Sequence, residues 1–133
     1  GVAASGQPRS INRRKVTQHE LQSETTDLGR RIYKDYRQYL ACRIQQSAFH
    51  PDAPQRLINT DNACVLAFER TSLDGGQRIL VAANVSGSRQ RFDLTMVGSE
   101  RSSWVRDLLT NAPVADGQGE LELAPAQVVW LTT

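Results

Sequence analysis

The apolar residues change their spacing about a third of the way along the chain, and this change most constrains the fold. Before about residue 50 they recur every fourth residue, which places them on one side of an α-helix. From Gln55 onward they alternate with polar residues or form short β-branched runs between turn residues, as strands do. The sequence therefore predicts a mainly β fold, an antiparallel β-sandwich of about seven strands preceded by a basic loop and one long α-helix.

The helical pattern predicts one helix from Thr26 to about Ser47. Thr26 or Asp27 can cap its start. It must end before Pro51, because proline lacks an N–H and disfavours helix in the residue before it. The apolar stripe of this helix consists of Leu28, Ile32, Tyr36, Leu40 and Ile44.

Seven later segments carry the strand pattern, and turn residues such as Asp74-Gly75-Gly76 separate them. The two most apolar segments, 63–68 and 79–85, are expected to be central in a sheet. The segment 89–96 alternates, with Phe92, Leu94 and Met96 on one side, so its other face should meet water. The predicted strands are Gln55 to Asn59, Ala63 to Arg70, Arg78 to Val85, Arg89 to Met96, Ser102 to Leu108, Glu120 to Leu123 and Gln127 to Thr132.

The charges of the chain nearly balance, with 16 basic and 14 acidic side chains and a formal net charge of +2. Such a balance gives no field that favours nucleic acid or an anionic membrane, so we expect neither partner. No run approaches the ~20 consecutive apolar residues that a spanning helix needs. Cys42 and Cys64 lie in apolar segments and are interpreted as buried free thiols in a reducing cytoplasm, although a disulfide stays possible.

The sequence lacks the familiar catalytic patterns, including G-x-S-x-G and the phosphate-binding P-loop. Cleavage of a glycosidic bond needs two carboxyl groups that face each other across a pocket. The acidic residues are scattered, so we interpret them as solvated surface charges and expect no catalytic residue, no metal site and no cofactor here. Those that follow Pro54 are Asp61, Glu69, Asp74, Asp93, Glu100, Asp107, Asp116, Glu120 and Glu122.

The most concentrated polar signal is the basic segment from Arg9 to Arg14, which holds Ile11 as a single apolar residue. The planar fork of an arginine suits the oxygens of phosphate and carboxylate groups. Asn12 could fix the loop or donate to a sugar hydroxyl. Taken alone, the segment is better interpreted as a solvated basic loop, because most runs of charge lie on the surface.

Six segments together resemble a known family. Gly6-Gln7-Pro8-Arg9-Ser10-Ile11-Asn12-Arg13 is similar to the G-x-x-R-x-I-N-R segment near the end of the barrel in sucrose phosphorylases and their relatives of the glucosylglycerate phosphorylase type. The order and spacing of the six segments extend the resemblance over nearly the whole chain. The other five are Ala48-Phe49-His50-Pro51-Asp52-Ala53-Pro54-Gln55, Val65-Leu66-Ala67-Phe68-Glu69-Arg70, Asn84-Val85-Ser86, Trp104-Val105-Arg106-Asp107-Leu108-Leu109 and Ala126-Gln127-Val128-Val129-Trp130-Leu131.

The resemblance implies the C-terminal region of an enzyme of the α-amylase superfamily, glycoside hydrolase family 13, which has a (β/α)8 barrel and a small antiparallel β-domain. Residues 1–22 would form the last βα-loop of the barrel, residues 23–53 the last barrel helix and a junction, and residues 54–133 the β-domain. The catalytic Asp and Glu would lie upstream, so the parent would be the enzyme. It would transfer glucose from sucrose or a related α-glucoside to phosphate, with retention.

The same resemblance implies that Arg9, Asn12 and Arg13 bind substrate or phosphate. Arg9 would hold the incoming phosphate or a carboxylate of the acceptor, while Asn12 and Arg13 shape the loop and Arg13 offers a second contact. Inorganic phosphate and a small sugar would be the parent's partners. Ser10 stands where sucrose phosphorylases commonly have Asp, which favours the wider phosphorylase-like branch over sucrose itself.

Two other functions stay open on the sequence: a carbohydrate-binding β-sandwich, and a purely structural or interaction module. Trp104 and Trp130 could stack on a sugar, but their apolar flanks favour core packing. Asn84-Val85-Ser86 matches the N-glycosylation pattern, which we interpret as coincidence in a cytoplasmic protein. Separated from its barrel neighbours, the helix stripe would be exposed, so the isolated fragment is expected to form a homodimer.

Overall fold

The computed structural model describes residues 17–19, 27–97, 104–114 and 119–133. The chain divides into two units, residues 1–37 and 38–133, and the packing below is that of the second unit. A helix, α1, covers Asp27–Ile44, so the predicted helix is confirmed but ends three residues early. A short 3-10 turn, Ser47–Phe49, follows it.

Seven strands occur within the described ranges, in the predicted order. Five of them form one antiparallel sheet in the order β1-β2-β3-β7-β5, while β4 pairs with β6 in a separate two-stranded sheet. The predicted antiparallel β-sandwich is therefore confirmed. The strands are β1 (Gln55–Ile58), β2 (Val65–Thr71), β3 (Arg78–Asn84), β4 (Gln90–Asp93), β5 (Arg106–Asp107), β6 (Glu120–Leu123) and β7 (Val128–Thr132).

The main core lies between the two sheets. Phe92 of β4 and Leu123 of β6 are fully buried against the inner face of the larger sheet. That inner face contributes Ile58, Val65, Ala67, Leu80, Ala82, Val129 and Leu131. Both sheets contribute residues to the same cluster, so the apolar face of each sheet would be exposed to water without the other sheet.

A second core covers part of the outer face of the five-stranded sheet. Ala48 and Phe49 of the 3-10 turn pack on Ile79 and Val81 of β3. Consecutive residues of β3 are therefore buried on opposite faces of the sheet, which confirms the prediction that 79–85 is central.

The turn between β2 and β3 confirms the predicted hairpin. Gly75 has a φ of 72°, which glycine adopts without the steric cost other residues meet. The Asp74 carboxylate accepts hydrogen bonds from the Ser72 hydroxyl at 2.5 Å and from the Gly76 N–H at 3.0 Å. These hydrogen bonds, mainly that from Ser72 and to a smaller extent that from Gly76, lower the pKa of the Asp74 carboxyl.

Strand β4 ends earlier than the sequence predicted. A 3-10 turn spans Leu94–Val97, so the predicted alternation through Met96 is wrong beyond Asp93. The Asp93 carboxylate accepts the N–H of Thr95 at 2.8 Å, which bends the chain out of the ladder. Val97 is buried as a result, while Met96 is exposed.

Two acidic residues contradict the prediction that all are solvated: Glu69 and Asp107 are each 6% exposed. Asp107 accepts hydrogen bonds from the N–H groups of Leu109 at 3.2 Å and Trp130 at 2.9 Å, and from the Thr110 hydroxyl at 2.7 Å. It thereby joins the turn after β5 to β7. A buried carboxylate is tolerated when donors of this kind surround it.

Glu69 is buried because two arginines hold it. Its oxygens accept from Arg56 and from Arg78, each at 2.8 Å. Arg56 also donates to the Val97 carbonyl at 2.7 Å, and Arg78 lies over the ring of Trp104 at 5.5 Å. Burial raises the pKa of the Glu69 carboxyl, but the hydrogen bonds and charges of Arg78 and Arg56 outweigh it, so the net shift is downward.

Asn84 joins three segments of backbone. Its side-chain amide donates to the carbonyls of Ser88, Leu123 and Ala124 at 2.7, 3.2 and 2.8 Å, and its oxygen accepts from the N–H of Ser86 at 2.9 Å. The residue is 2% exposed. In the folded domain the amide nitrogen that a glycan would need is therefore committed to backbone carbonyls.

The two cysteines are free, but they are half-buried rather than fully buried as predicted. The Cys42 thiol lies 3.6 Å from the Leu108 carbonyl. Burial raises the pKa of the Cys42 thiol, and the negative charge of Asp107 raises it further by a smaller amount. The thiol is therefore protonated at neutral pH.

Replacing Glu69→Gln should lower the free energy of unfolding by about 1–3 kcal/mol at pH 7, since two charge-assisted hydrogen bonds are lost from a buried site. The matched control is Glu122→Gln, which removes the exposed pair between Glu122 and Arg89 and should cost under ~1 kcal/mol. Urea unfolding of both variants measures the difference. Equal losses at the two positions would show that the Glu69 cluster is no more stabilising than a surface pair.

The stabilisation from Glu69 should also depend on pH in a defined direction. Its pKa is lower in the folded than in the unfolded state, so the contribution is fully present above the unfolded value of about 4.3 and is lost as pH falls through the folded value. The stability gap between wild type and Glu69→Gln should therefore narrow when unfolding is repeated in acid. If the difference in unfolding free energy between wild type and Glu69→Gln is the same at pH 7 and pH 3, the Glu69 carboxylate is not the source of this stabilisation.

Candidate functional site

The residues that the sequence singled out as binding groups, Arg9, Asn12 and Arg13, lie outside the described residues. Their roles therefore stay predictions. The features of the described residues that bear on function are an open groove, the surroundings of the two tryptophans and the junction between α1 and β1.

An open groove of about 750 Å³ lies between the end of α1, the 3-10 turn and the β2–β3 hairpin. Its walls are mostly apolar, with Ile44 and Leu73 exposed at its sides. Polar groups reach it from the helix end and from the hairpin. The described lining residues are Arg43, Ile44, Gln45, Gln46, Ser47, Phe49, His50, Pro51, Ser72, Leu73 and Asp74.

The groove does not carry the groups that break a glycosidic bond. Asp74 is the one carboxylate among its described lining residues, and it is held by Ser72 and Gly76. The Nδ1 atom of His50 accepts a hydrogen bond from the N–H of Asp52 at 3.2 Å. Retaining hydrolysis and phosphorolysis need a second carboxyl group about 5 Å from the first. The described lining supplies none, so the groove can bind but lacks that catalytic pair.

Neither tryptophan presents a bare ring to a sugar. Trp104 is buried, with the Arg78 guanidinium over its ring, which confirms core packing for this residue. Trp130 is half-buried, and the rings of Phe49 and Tyr39 lie 4.8 and 6.1 Å from its own. The contact of Phe49 and Tyr39 with Trp130 could not be predicted from the sequence, because these two residues lie about 80 to 90 positions before Trp130 in the chain.

Arg70 clasps the segment that joins α1 to β1. It ends the apolar run of β2, and its Nη2 donates to the carbonyls of His50 at 2.6 Å and Ala53 at 2.9 Å. Its buried Nε has no partner among the described atoms. These residues belong to two motifs that are separate in the sequence, 48–55 and 65–70, and the structure brings the two motifs into direct contact.

No helix among the described residues is long and apolar enough to cross a membrane. The same residues contain no group of three or more His, Cys, Asp or Glu side chains arranged to hold a metal ion.

Two curated relatives match the chain. Glucosylglycerate phosphorylase from Escherichia coli K12 is 29% identical over 134 residues, which cover 98% of this chain and 22% of that protein. Glucosylglycerate phosphorylase from Allomeiothermus silvanus is 41% identical over 61 residues, covering 44% of this chain and 11% of that protein. The chain thus spans about a fifth of the length of its Escherichia coli relative.

Solved structures of a trehalulose synthase share the fold. The enzyme MutB from Pseudomonas mesoacidophila MX-45 superimposes with a TM-score of 0.62 at 24% identity, over 86% of this chain and 19% of that one. A MutB variant in complex with glucose superimposes with a TM-score of 0.61 at 26% identity, over 76% of this chain and 18% of that one.

The family comparison covers the strands described above. Residues 55–130, from the start of β1 into β7, match the model of the maltogenic amylase C-terminal domain. The predicted resemblance to the C-terminal region of sucrose phosphorylase-like enzymes of the α-amylase superfamily is confirmed by this match and by the relatives. The chain belongs to the maltogenic amylase C-terminal domain family.

Proposed function

We propose that this chain is the C-terminal part of a glycoside phosphorylase or related glucosyl-transferring enzyme that acts on sucrose or another α-glucoside, and that its β-domain supports the catalytic barrel. The observation that carries the proposal is the alignment with the Escherichia coli glucosylglycerate phosphorylase over 98% of this chain. A match of this length includes the basic segment, the helix and the β-domain together rather than one module alone.

In this proposal residues 1–22 form the last βα-loop of the barrel, residues 23–53 its last helix and a junction, and residues 54–133 the supporting β-domain. The free, half-buried cysteines suit a reducing cytoplasm, where we place the parent enzyme.

The contacts of the two buried carboxylates, Glu69 and Asp107, agree with a supporting role for the β-domain. Glu69 binds two arginines, and Asp107 binds backbone N–H groups and a hydroxyl. Each carboxylate therefore holds structure together and is closed to a reacting sugar. A catalytic pair would need to come from the parent's other residues.

Helix α1 supports the proposal through its surface. Ile32, Tyr36, Leu40 and Ile44 recur every fourth residue, and all four side chains are exposed. A row of large apolar side chains on one helix face is typical of a surface that packs against a partner. In the proposed enzyme the barrel covers this row; in the isolated chain it remains open, so homodimerisation of the fragment stays a prediction.

For substrate binding we propose the basic segment. Arg9 holds phosphate or an acceptor carboxylate through its planar fork, with Asn12 and Arg13 shaping the loop and Arg13 as a second contact. Ser10, where sucrose phosphorylases commonly have Asp, favours an acceptor other than the fructose of sucrose. The name of the two curated relatives points to a glucoside of glycerate, which keeps a free carboxylate, as the first substrate to test.

The test is phosphate-dependent formation of glucose 1-phosphate by the full-length parent, assayed with sucrose and with glucosylglycerate. Arg9→Ala should raise the KM for phosphate or for the carboxylate-bearing acceptor by about tenfold to a hundredfold, the loss expected of one charge-assisted contact. Arg9→Lys should raise the KM less than Arg9→Ala, because lysine keeps the positive charge but lacks the planar fork of arginine.

The matched control is Lys15→Ala. This basic residue directly follows the basic segment and lies outside the family motif, so its loss should leave both KM values unchanged. An Arg9→Ala enzyme with wild-type KM for phosphate and acceptor contradicts the assigned contact. A parent that releases no glucose 1-phosphate from either glucoside contradicts the proposed activity.

A further inference from the structure

The hairpin between β2 and β3 contains an Asp-Gly pair, Asp74-Gly75, and both residues are exposed. Among aspartyl peptide bonds, Asp-Gly is the most prone to intramolecular cyclisation, because glycine has no side chain to hinder its backbone nitrogen. A side chain at Gly75 would meet no atom within 4 Å of its Cβ, so no neighbouring group crowds this residue. The hairpin therefore places a reactive dipeptide in contact with solvent.

The reaction of such a pair needs no partner other than water. The Gly75 nitrogen attacks the side-chain carbonyl carbon of Asp74, a C–N bond forms, and the carboxyl OH leaves with the amide hydrogen as water. The resulting succinimide ring then takes up one water. Hydrolysis at the side-chain carbonyl restores aspartate, whereas hydrolysis at the main-chain carbonyl leaves the chain running through the side chain, as isoaspartate. The mass does not change, and the backbone gains one carbon atom.

Three hydrogen bonds of the folded hairpin oppose this cyclisation. The Oδ1 atom of Asp74 accepts from the Ser72 hydroxyl and from the Gly76 N–H. A Cβ at Gly76 would lie 3.4 Å from the same oxygen, so the carboxylate lies over Gly76. The attacking group is engaged as well, because the Gly75 N–H donates to the Ser72 carbonyl at 2.9 Å. Ser72 therefore supplies a partner to each of the two reacting groups.

Ser72 is itself held in place. It is 3% exposed, and its hydroxyl accepts the N–H of Gln77 at 2.9 Å. Its own N–H donates to the Gln77 carbonyl at 2.9 Å. The Ser72 hydroxyl also contributes most to the lowered pKa of the Asp74 carboxyl. Cyclisation proceeds from the protonated carboxyl, which loses its OH readily, so this hydrogen bond opposes the reaction in a second way.

We propose that Asp74 is a site of spontaneous isomerisation to isoaspartate, and that Ser72 keeps it unreactive in the folded hairpin. The reaction requires local opening of the turn, so folding slows it. This modification goes beyond the proposed function and does not depend on it.

Isomerisation at this position would disturb the contact between the hairpin and the 3-10 turn. Gln77 accepts the N–H of Ala48 on Oε1 at 3.0 Å and donates from Nε2 to Oε1 of Gln46 at 2.7 Å. The backbone bonds between Gln77 and Ser72 close the hairpin turn. A backbone carbon added between these two residues changes that closure, so molecules that carry isoaspartate should have a lower Tm.

The test follows isoaspartate at position 74 in the full-length protein during incubation at mildly acidic pH. Trypsin releases the peptide 71–78, in which isoaspartate is separated from aspartate by chromatography and identified by fragmentation. The same protein in guanidinium chloride gives the rate of the unfolded chain. We expect the folded protein to react at least about tenfold more slowly than the unfolded chain, because the turn must open first.

Two variants test the role of Ser72. Ser72→Ala should raise the rate in the folded protein about threefold to tenfold, which corresponds to the loss of one hydrogen bond. The matched control is Ser88→Ala, which removes a serine hydroxyl from the turn between β3 and β4 and should leave the rate at position 74 unchanged.

Equal rates in the folded and the unfolded wild type overturn the protection, and the absence of isoaspartate at position 74 from the unfolded protein overturns the site. This comparison needs no substitution, so it decides even where Ser72→Ala does not fold. A folded Ser72→Ala protein with the wild-type rate, or a Ser88→Ala protein that reacts as fast as Ser72→Ala, contradicts the role of Ser72. An unchanged Tm in protein that has accumulated isoaspartate at position 74 contradicts the effect on the 3-10 turn.

Discussion

The fold depends on one sheet that is apolar on both faces. Four consecutive residues of its central strand, Ile79, Leu80, Val81 and Ala82, are buried, and alternate ones point to opposite sides. Burying one such aliphatic side chain contributes about 1.5–3 kcal/mol, so both sides need a cover. The β4–β6 sheet covers the inner side, and the turn around Phe49 covers part of the outer side.

Buried polar groups then fix the loops around that sheet. Glu69 of β2 binds Arg56 of β1 and Arg78 of β3. Asp107 connects the turn after β5 to β7. Asn84 connects the turn after β3 to the turn before β7. Arg70 ties the junction to β2. These residues lie in the motifs through which the sequence resembles its family. The motifs of the β-domain therefore record structural contacts.

The periodicity of the sequence was sufficient to predict the helix, the order of the strands and the central position of β3, because these depend on local spacing. It could not show that Glu69 and Asp107 are buried, because their partners come from other strands and turns. Nor did it predict the end of β4, where one carboxylate–backbone bond at Asp93 outweighs the alternation. The binding residues Arg9, Asn12 and Arg13 rest on family resemblance, since a basic loop alone does not distinguish a phosphate contact from solvated charge.

We propose that this chain supports a catalytic portion of its parent that lies outside residues 1–133. This can be tested by comparing residues 1–133 with the full-length parent for glucose 1-phosphate formed from an α-glucoside and inorganic phosphate, at equal molar concentration. We expect turnover by the parent and none above background by residues 1–133. Phosphate-dependent turnover by residues 1–133 alone would show that the proposal is wrong.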